Sequence, residues 1–233
     1  MQLKNPILKF LIMGIEAEFK QVSPYLLEKF KRYPDFIDLF FDAQYLPDSP
    51  FWQQFNLDLN DSEDSEWFNE AINYVPETLA KLKIEKLEDF KKLESDIPLI
   101  ITEGKNFKFD IGKRWPILHF ILTGTDDSIP LPFLVGTNET DKLPSINIIF
   151  GGQTIDYETD YGLLRYLTVD EVKQVAQALS NFSRNQFHER LILKDLENDF
   201  EMVFNIIYDV SQQLLNYYQN AASGQNAMFL YLS

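Results

Sequence analysis

The stretch "KRWPILHFILTG", residues 113 to 124, brings Lys113, Trp115, His119 and Thr123 together. A histidine titrates near neutrality and can serve as a general acid–base or as a metal ligand. A lysine six residues earlier could bind an anion or pair with Asp110. On an ideal helix Lys113 and His119 stand about 120° apart and about 9 Å apart along the axis, so they form a dyad only if the first turn is irregular. Pro116 allows such irregularity, because proline belongs to the first turn of a helix. The same spacing puts Ile111, Trp115, Leu118, His119 and Leu122 on one face, with Ile117, Phe120 and Ile121 on the others. A helix apolar nearly all round is buried, so Trp115 reads as a core anchor and His119 as a core histidine beside it. Asp110 or Gly112 would cap this helix, Thr123 would bond a carbonyl and Gly124 would end it. Tyr161 and Arg165 are two further candidates, which either flank a pocket or anchor a turn.

Other chemistries find little support. The second histidine, His188, stands in "HERLI", which lacks the partner histidine of a helix-borne zinc motif. There is no cysteine, which excludes disulfides, thiol nucleophiles and cysteine-ligated metal. No G-x-S-x-G elbow occurs, and Gly151-Gly152 lacks both the P-loop lysine and the dinucleotide glycine spacing. The acidic run of residues 57 to 70, "LDLNDSEDSEWFNE", invites a calcium reading. A loop counted from Asp58 accepts Asn60 and Ser62, then fails with Glu63 at the glycine position and Asn69 at the bidentate position. It reads as a solvated loop and helix start. No cofactor and no metal is expected.

The elements that would position these residues are short strands mixed with longer helices, an α+β pattern without a β-α-β rhythm. Residues 13–20 alternate as a strand. Ser23-Pro24, Pro34 and Ser49-Pro50 open helical segments. Residues 75–95 read as one amphipathic helix, and 97–102, "IPLIIT", with 107–109 as strand pieces. The helix of 113–123 follows. Residues 129–136 carry two prolines and read as an edge strand or irregular segment. Residues 146–155 read as a strand turned by the glycine pair. Thr168 with Glu171 makes a capping box. Residues 185–196 and 201–223 are helical, and 226–232 close the chain as a strand. The expected architecture is a single compact domain with mostly antiparallel strands and several packed helices.

The chain has 233 residues, 45% of them hydrophobic, which is ample for a core. Its net charge of −15 argues against nucleic acid and anionic membrane, both of which need clustered Lys and Arg. No run approaches the roughly 18 apolar residues of a membrane span, and the N-terminus lacks signal-peptide features. An acidic surface suits solubility and also a basic protein partner.

Several segments resemble, in order, the DUF1877 (YfbM-like) family. "DIGKRWPILHFILTG" is similar to its Lys-x-Trp…Leu-His…Leu-Thr-Gly segment. "MGIEAEFKQVSP" is similar to its opening, "INIIFGG" to its Gly-Gly strand, "YGLLRYLTVDEV" to its Tyr-Gly…Arg-Tyr-Leu-Thr segment and "NAASGQNAMFLYL" to its end. The resemblance runs from Met13 onward, so residues 1–12 are an N-terminal extension or Met13 is the true start. The acidic insert around 57–70 is a departure from the family core. The resemblance implies a compact α+β domain at 13–233, found mostly in bacteria, with no established activity and no catalytic residue to carry over. The expected function is a cytoplasmic, non-enzymatic binding protein that recognises a basic protein, as a toxin-immunity protein does. The alternatives are a small-molecule enzyme or ligand binder near Lys113, Trp115 and His119, and a structural subunit of an oligomer.

Overall fold

The computed structural model describes residues 14–55, 57–126, 133–194 and 200–233. The fold class is α+β. The chain divides into two compact units, one of residues up to Gln21 together with Phe109–Ser233, the other Val22–Lys108. The N-terminal extension and Met13 lie outside the described residues, as does part of the proline-bearing segment at 129–136.

The first unit is built on a five-stranded sheet. Its strands are β1 (Ala17–Val22), β2 (Lys108–Gly112), β5 (Gln153–Thr159), β6 (Gly162–Leu167) and β7 (Ala227–Leu232), in the order β2-β1-β7-β6-β5. β5–β6 and β6–β7 pair antiparallel. A second, two-stranded antiparallel sheet joins β3 (Val135–Thr137) to β4 (Pro144–Ile146). The "INIIF" run is therefore a strand only to Ile146. The chain then bends through 148–150, because Asn147 turns the backbone by accepting the Phe150 N–H on its side-chain oxygen at 3.0 Å.

The helices of this unit are α7 (Trp115–Thr123), α8 (Val169–Asn181), α9 (Arg184–Ile192) and α10 (Phe200–Ser223). Alternation on the strands gives one core face: Phe19 on β1, Ile111 on β2, Leu167 on β6, Met228 and Leu230 on β7. Helical periodicity supplies the other layer, with Leu118 and Leu122 of α7, Val172 and Val175 of α8, and Leu214 and Tyr218 of α10. The capping box at Thr168 starts α8: its hydroxyl accepts from the Glu171 N–H and the Glu171 carboxylate accepts from the Thr168 N–H. The Tyr217 hydroxyl donates to the Phe19 carbonyl at 3.1 Å and ties α10 to β1, and burial pushes its phenol well up.

The second unit is helical: α1 (Pro24–Phe30), α2 (Ile37–Asp42), α3 (Ser62–Ala71), α4 (Tyr74–Glu85), α5 (Leu87–Leu93) and α6 (Ile97–Gly104), with 3₁₀ turns at Pro34–Phe36, Ala43–Tyr45 and Pro50–Gln54. Ser23 and Ser49 cap the segments they open, accepting from Leu26 N–H and Phe51 N–H. Phe30, Phe36, Phe40, Leu93 and Ile100 form its interior.

Two expectations change here. "IPLIIT" is helix α6, not a strand: Pro98 sits in its first turn, where its missing N–H has no cost, and Ile100 buries while Leu99 is exposed and Ile101 half-buried. The segment 75–95 is two helices rather than one. Lys86 leaves helical geometry at φ −128° and ψ 38°, and α5 restarts after it.

Candidate functional site

The residues singled out in the sequence divide among several places. Asp110 lies on strand β2, not at a helix N-cap, and α7 begins only at Trp115 with Arg114 in the capping position. The reason is local: the Asp110 carboxylate accepts the Gly112 N–H, which closes a turn before the helix can start. Lys113 and Arg114 occupy this turn. With Glu16, Asp110 and Gly112 they line an open groove of about 400 Å³. Glu16 just before β1, Glu18 on β1 and Asp110 on β2 bring carboxylate oxygens within 4.8 Å of one another, close enough to share a cation. Glu18 is buried and accepts from the Ser233 hydroxyl at 3.1 Å. Neither glutamate stood out in the sequence, because about ninety residues separate them from Asp110 and only the strand pairing joins them.

Trp115 and His119 do not line that groove. The Trp115 indole N–H donates to the Ile15 carbonyl at 3.2 Å. Phe150 stands edge-on to both rings, at 5.9 Å from Trp115 and 5.2 Å from His119. His119 is only 2% exposed and belongs to the interior. We expect His119→Ala to cost about 2 kcal/mol or more through the cavity left beside Phe150, and His119→Phe to cost less. Urea denaturation checks this; an unchanged midpoint for the alanine variant would remove His119 from the packing.

Thr123 is buried, and its hydroxyl donates to the His119 carbonyl at 2.7 Å. It belongs to a set of contacts that satisfies the carbonyls at the end of α7. Gly124, at φ +82°, sends its N–H to the Phe120 carbonyl. The Thr123 carbonyl accepts from Asn138 Nδ2 at 2.8 Å and from the Ser145 hydroxyl at 3.1 Å. The Ile121 carbonyl accepts from Arg190 Nη1 at 2.7 Å, and the same fully buried guanidinium grips Asp141 at 2.8 and 3.2 Å. Arg190 holds the Asp141 carboxyl below the usual carboxylate range.

Tyr161 is 53% exposed in the β5–β6 turn. Arg165 lies on β6 opposite Leu230, half-buried, and desolvation lowers its guanidinium pKa. Among the described residues no ion pair reaches it.

A different surface carries most of the charge. From Tyr33 to Ala80 the sequence holds eleven acidic residues and no lysine or arginine, a balance that exceeds the acidic run at 57–70 on both sides. Among the described residues, later lysines pair with Asp35 and Asp48: Lys86 with Asp35 at 3.0 Å and Lys105 with Asp48 at 2.7 Å. In the loop before α3, carboxylates replace missing backbone partners. Asp61 accepts from Glu63 N–H and Asp64 N–H, Asp64 accepts from Asp58 N–H, and Asp58 accepts from Asn60 N–H, whose contact lowers the Asp58 pKa. Glu63, Glu66 and Glu70 are left exposed on α3. No ion pair joins any carboxylate of 58–70 to a cation among the described residues.

The same helix buries only Ala71. Its apolar side is aromatic and partly open: Trp67 meets Trp52 at 5.1 Å and Phe55 at 5.0 Å, and Phe68 meets Trp52 at 4.8 Å. Trp52 is fixed by its indole N–H, which donates to the carbonyls of Tyr45 and Leu46. Phe55 remains 41% exposed.

The model for the "Domain of unknown function (DUF1877)" matches residues 13–231. Among solved structures the chain is similar to the crystal structure of YfbM from Escherichia coli, described as a protein of unknown function. The two share 14% identity over 94% of this chain and 99% of that one, with a TM-score of 0.47. No curated protein matches.

Proposed function

For this chain, which belongs to the DUF1877 family, a family without an assigned function, we propose a non-enzymatic role: binding a basic protein partner through its acidic helical unit. The observation that carries the proposal is the uninterrupted stretch from Tyr33 to Ala80, with eleven acids and no base. Fields of one sign steer an oppositely charged protein and reject like-charged ones. The environment of His119 supports the same direction, since a histidine held in the interior beside Phe150 is poorly placed for proton transfer to a substrate. The cysteine-free composition is in keeping with a cytoplasmic protein.

The test is affinity capture from the native host with two baits, wild type and the triple variant Glu63→Lys, Glu66→Lys, Glu70→Lys. The expected result is a basic protein recovered by the wild type, released by salt and not recovered by the variant. Recovery of the same partner by both baits, or of none by either, contradicts the reading.

A second reading, a binder of a small polar ligand, is favoured by the groove that unites Lys113 and Arg114 with Glu16 and Asp110. It retains Lys113 from the sequence candidates but not His119 or Trp115.

A further inference from the structure

We propose that the open aromatic face formed by Trp67 and Phe55 binds an arginine-bearing basic segment of another protein. This inference rests on the acidic-binder reading above and adds the place and the mode of recognition.

Three observations converge on this face. First, Trp67 and Phe55 touch edge to face at 5.0 Å; Phe55 is 41% exposed and Trp67 half-buried, so an incoming group can reach the Phe55 ring and the uncovered part of the indole. Second, the carboxylates surround one of those rings. On α3, Glu63 and Glu70 stand four residues before and three after Trp67, and these spacings place all three on one helix face, with Glu66 adjoining. A cation seated over the indole therefore meets carboxylates along the helix on both sides. Third, the chain's own cations occupy rings elsewhere. Lys29 lies over Tyr25, Lys83 over Phe90, Lys92 over Tyr33 and Arg184 over Phe204, each 4.9 to 5.6 Å from the ring centroid. Among the described residues no lysine or arginine lies over Trp67, Phe55 or Trp52.

Charge decides the occupant. A second copy of this chain would bring Glu63, Glu66 and Glu70 against their own equivalents, a like-charge contact without compensation. A basic segment removes that repulsion. Arginine suits the site better than lysine, because its flat and weakly hydrated guanidinium stacks on an indole while its edge N–H groups bond carboxylates.

The experiment is fluorescence anisotropy on the full chain with a labelled twelve-residue peptide of alternating Arg and Ser, beside the matched Lys–Ser peptide. The arginine peptide should bind more tightly than the lysine peptide. Trp67→Leu, which keeps apolar bulk but removes the indole, should weaken arginine-peptide binding by about tenfold or more. The double variant Glu63→Gln, Glu70→Gln should weaken it and flatten its salt dependence. Circular dichroism monitors α3; if Trp67→Leu unfolds it, Phe55→Leu at the exposed edge supplies the same test, with a smaller expected loss.

Equal affinity for the two peptides, with neither ring variant changing it, overturns the aromatic mode even if the glutamine variant weakens binding, and leaves the acidic-binder reading in place. No binding of either peptide at low salt overturns the proposal, while the reading itself stands or falls on the capture experiment, in which no ring is altered. Wild-type self-association that Trp67→Leu abolishes would make the occupant a second copy and also overturns the proposal.

Discussion

Replacing Arg190 by methionine should destabilise the protein by about 1–3 kcal/mol, chiefly the cost of leaving the buried Ile121 carbonyl without its donor, because Asp141 is partly exposed and water can reach its carboxylate. The side chain is fully buried, lies over the Phe182 ring, and holds both Asp141 and the Ile121 carbonyl. Methionine fills much of the volume but leaves that carbonyl without its donor and Asp141 without its cation. Asp141 keeps the Leu143 N–H, so its loop is weakened rather than lost. Adding Asp141→Asn to the methionine variant should restore part of the stability, since the uncompensated charge is gone, and a double-mutant cycle by urea denaturation measures the coupling. The pair also sets an acid response. Asp141 has a lowered pKa in the folded state, so its contribution is fully present above the ordinary carboxylate value of about 4 and is lost as pH falls through the folded value. Arg190→Met should flatten that acid-side loss. A stability close to wild type in the methionine variant would mean that the end of α7 is held by Asn138 and Ser145 alone.

Gly152→Ala carries the second large effect. Gly152 sits at φ +80°, in the left-handed region, and an added Cβ would stand 2.4 Å from the Tyr166 carbonyl oxygen and 2.8 Å from Leu167 Cδ2. Backbone strain of about 1–2 kcal/mol and overpacking of about 1–3 kcal/mol act together. The obstacle is the backbone of β6, which cannot swing aside as a side-chain tip can. Gly151 faces a similar obstacle, with Asn147 O at 2.2 Å from its added carbon. The glycine pair therefore allows two strands and a bend to approach closely and has no need of a phosphate to explain it. Gly136→Ala is the control, because its added carbon meets nothing nearer than Phe133 Cδ2 at 3.4 Å. Comparable urea midpoints for Gly152→Ala and Gly136→Ala would contradict the steric account.

The parts of the fold legible in the sequence are those with local causes. Ser23-Pro24, Ser49-Pro50 and the Thr168–Glu171 box place segment starts because each cap is complete within four residues. Gly124 marks the end of α7, and the all-round apolar pattern marks its burial. The misread segments have signals that point both ways. A β-branched run with a proline, "IPLIIT", suits a strand by composition and a helix by the position of Pro98, and the second prevails in α6. Nothing in "LKIEKLED" announces the break at Lys86, since lysine and glutamate are good helix formers and the backbone departs there against local preference.

The site was legible only where its members are neighbours in sequence. Asp110 and Lys113 do share a groove. Glu16 and Glu18 come beside Asp110 through the pairing of β1 with β2, and Arg190 meets Asp141 across 49 residues, relations that no periodicity encodes. The Tyr33–Ala80 imbalance is written in the sequence, but only the run at 57–70 is dense enough to stand out. Which carboxylates of Tyr33–Ala80 are neutralised depends on the distant lysines that return to Asp35 and Asp48.

The most direct test of the central claim is a hydrogen-exchange footprint of the full chain with and without a saturating basic partner or arginine peptide. The account predicts slowed exchange confined to the segment 58–70 on α3 and its approach loop, with residues 110–114 unchanged. Protection at 110–114 with none at 58–70 would contradict it and transfer the binding role to the groove beside Lys113.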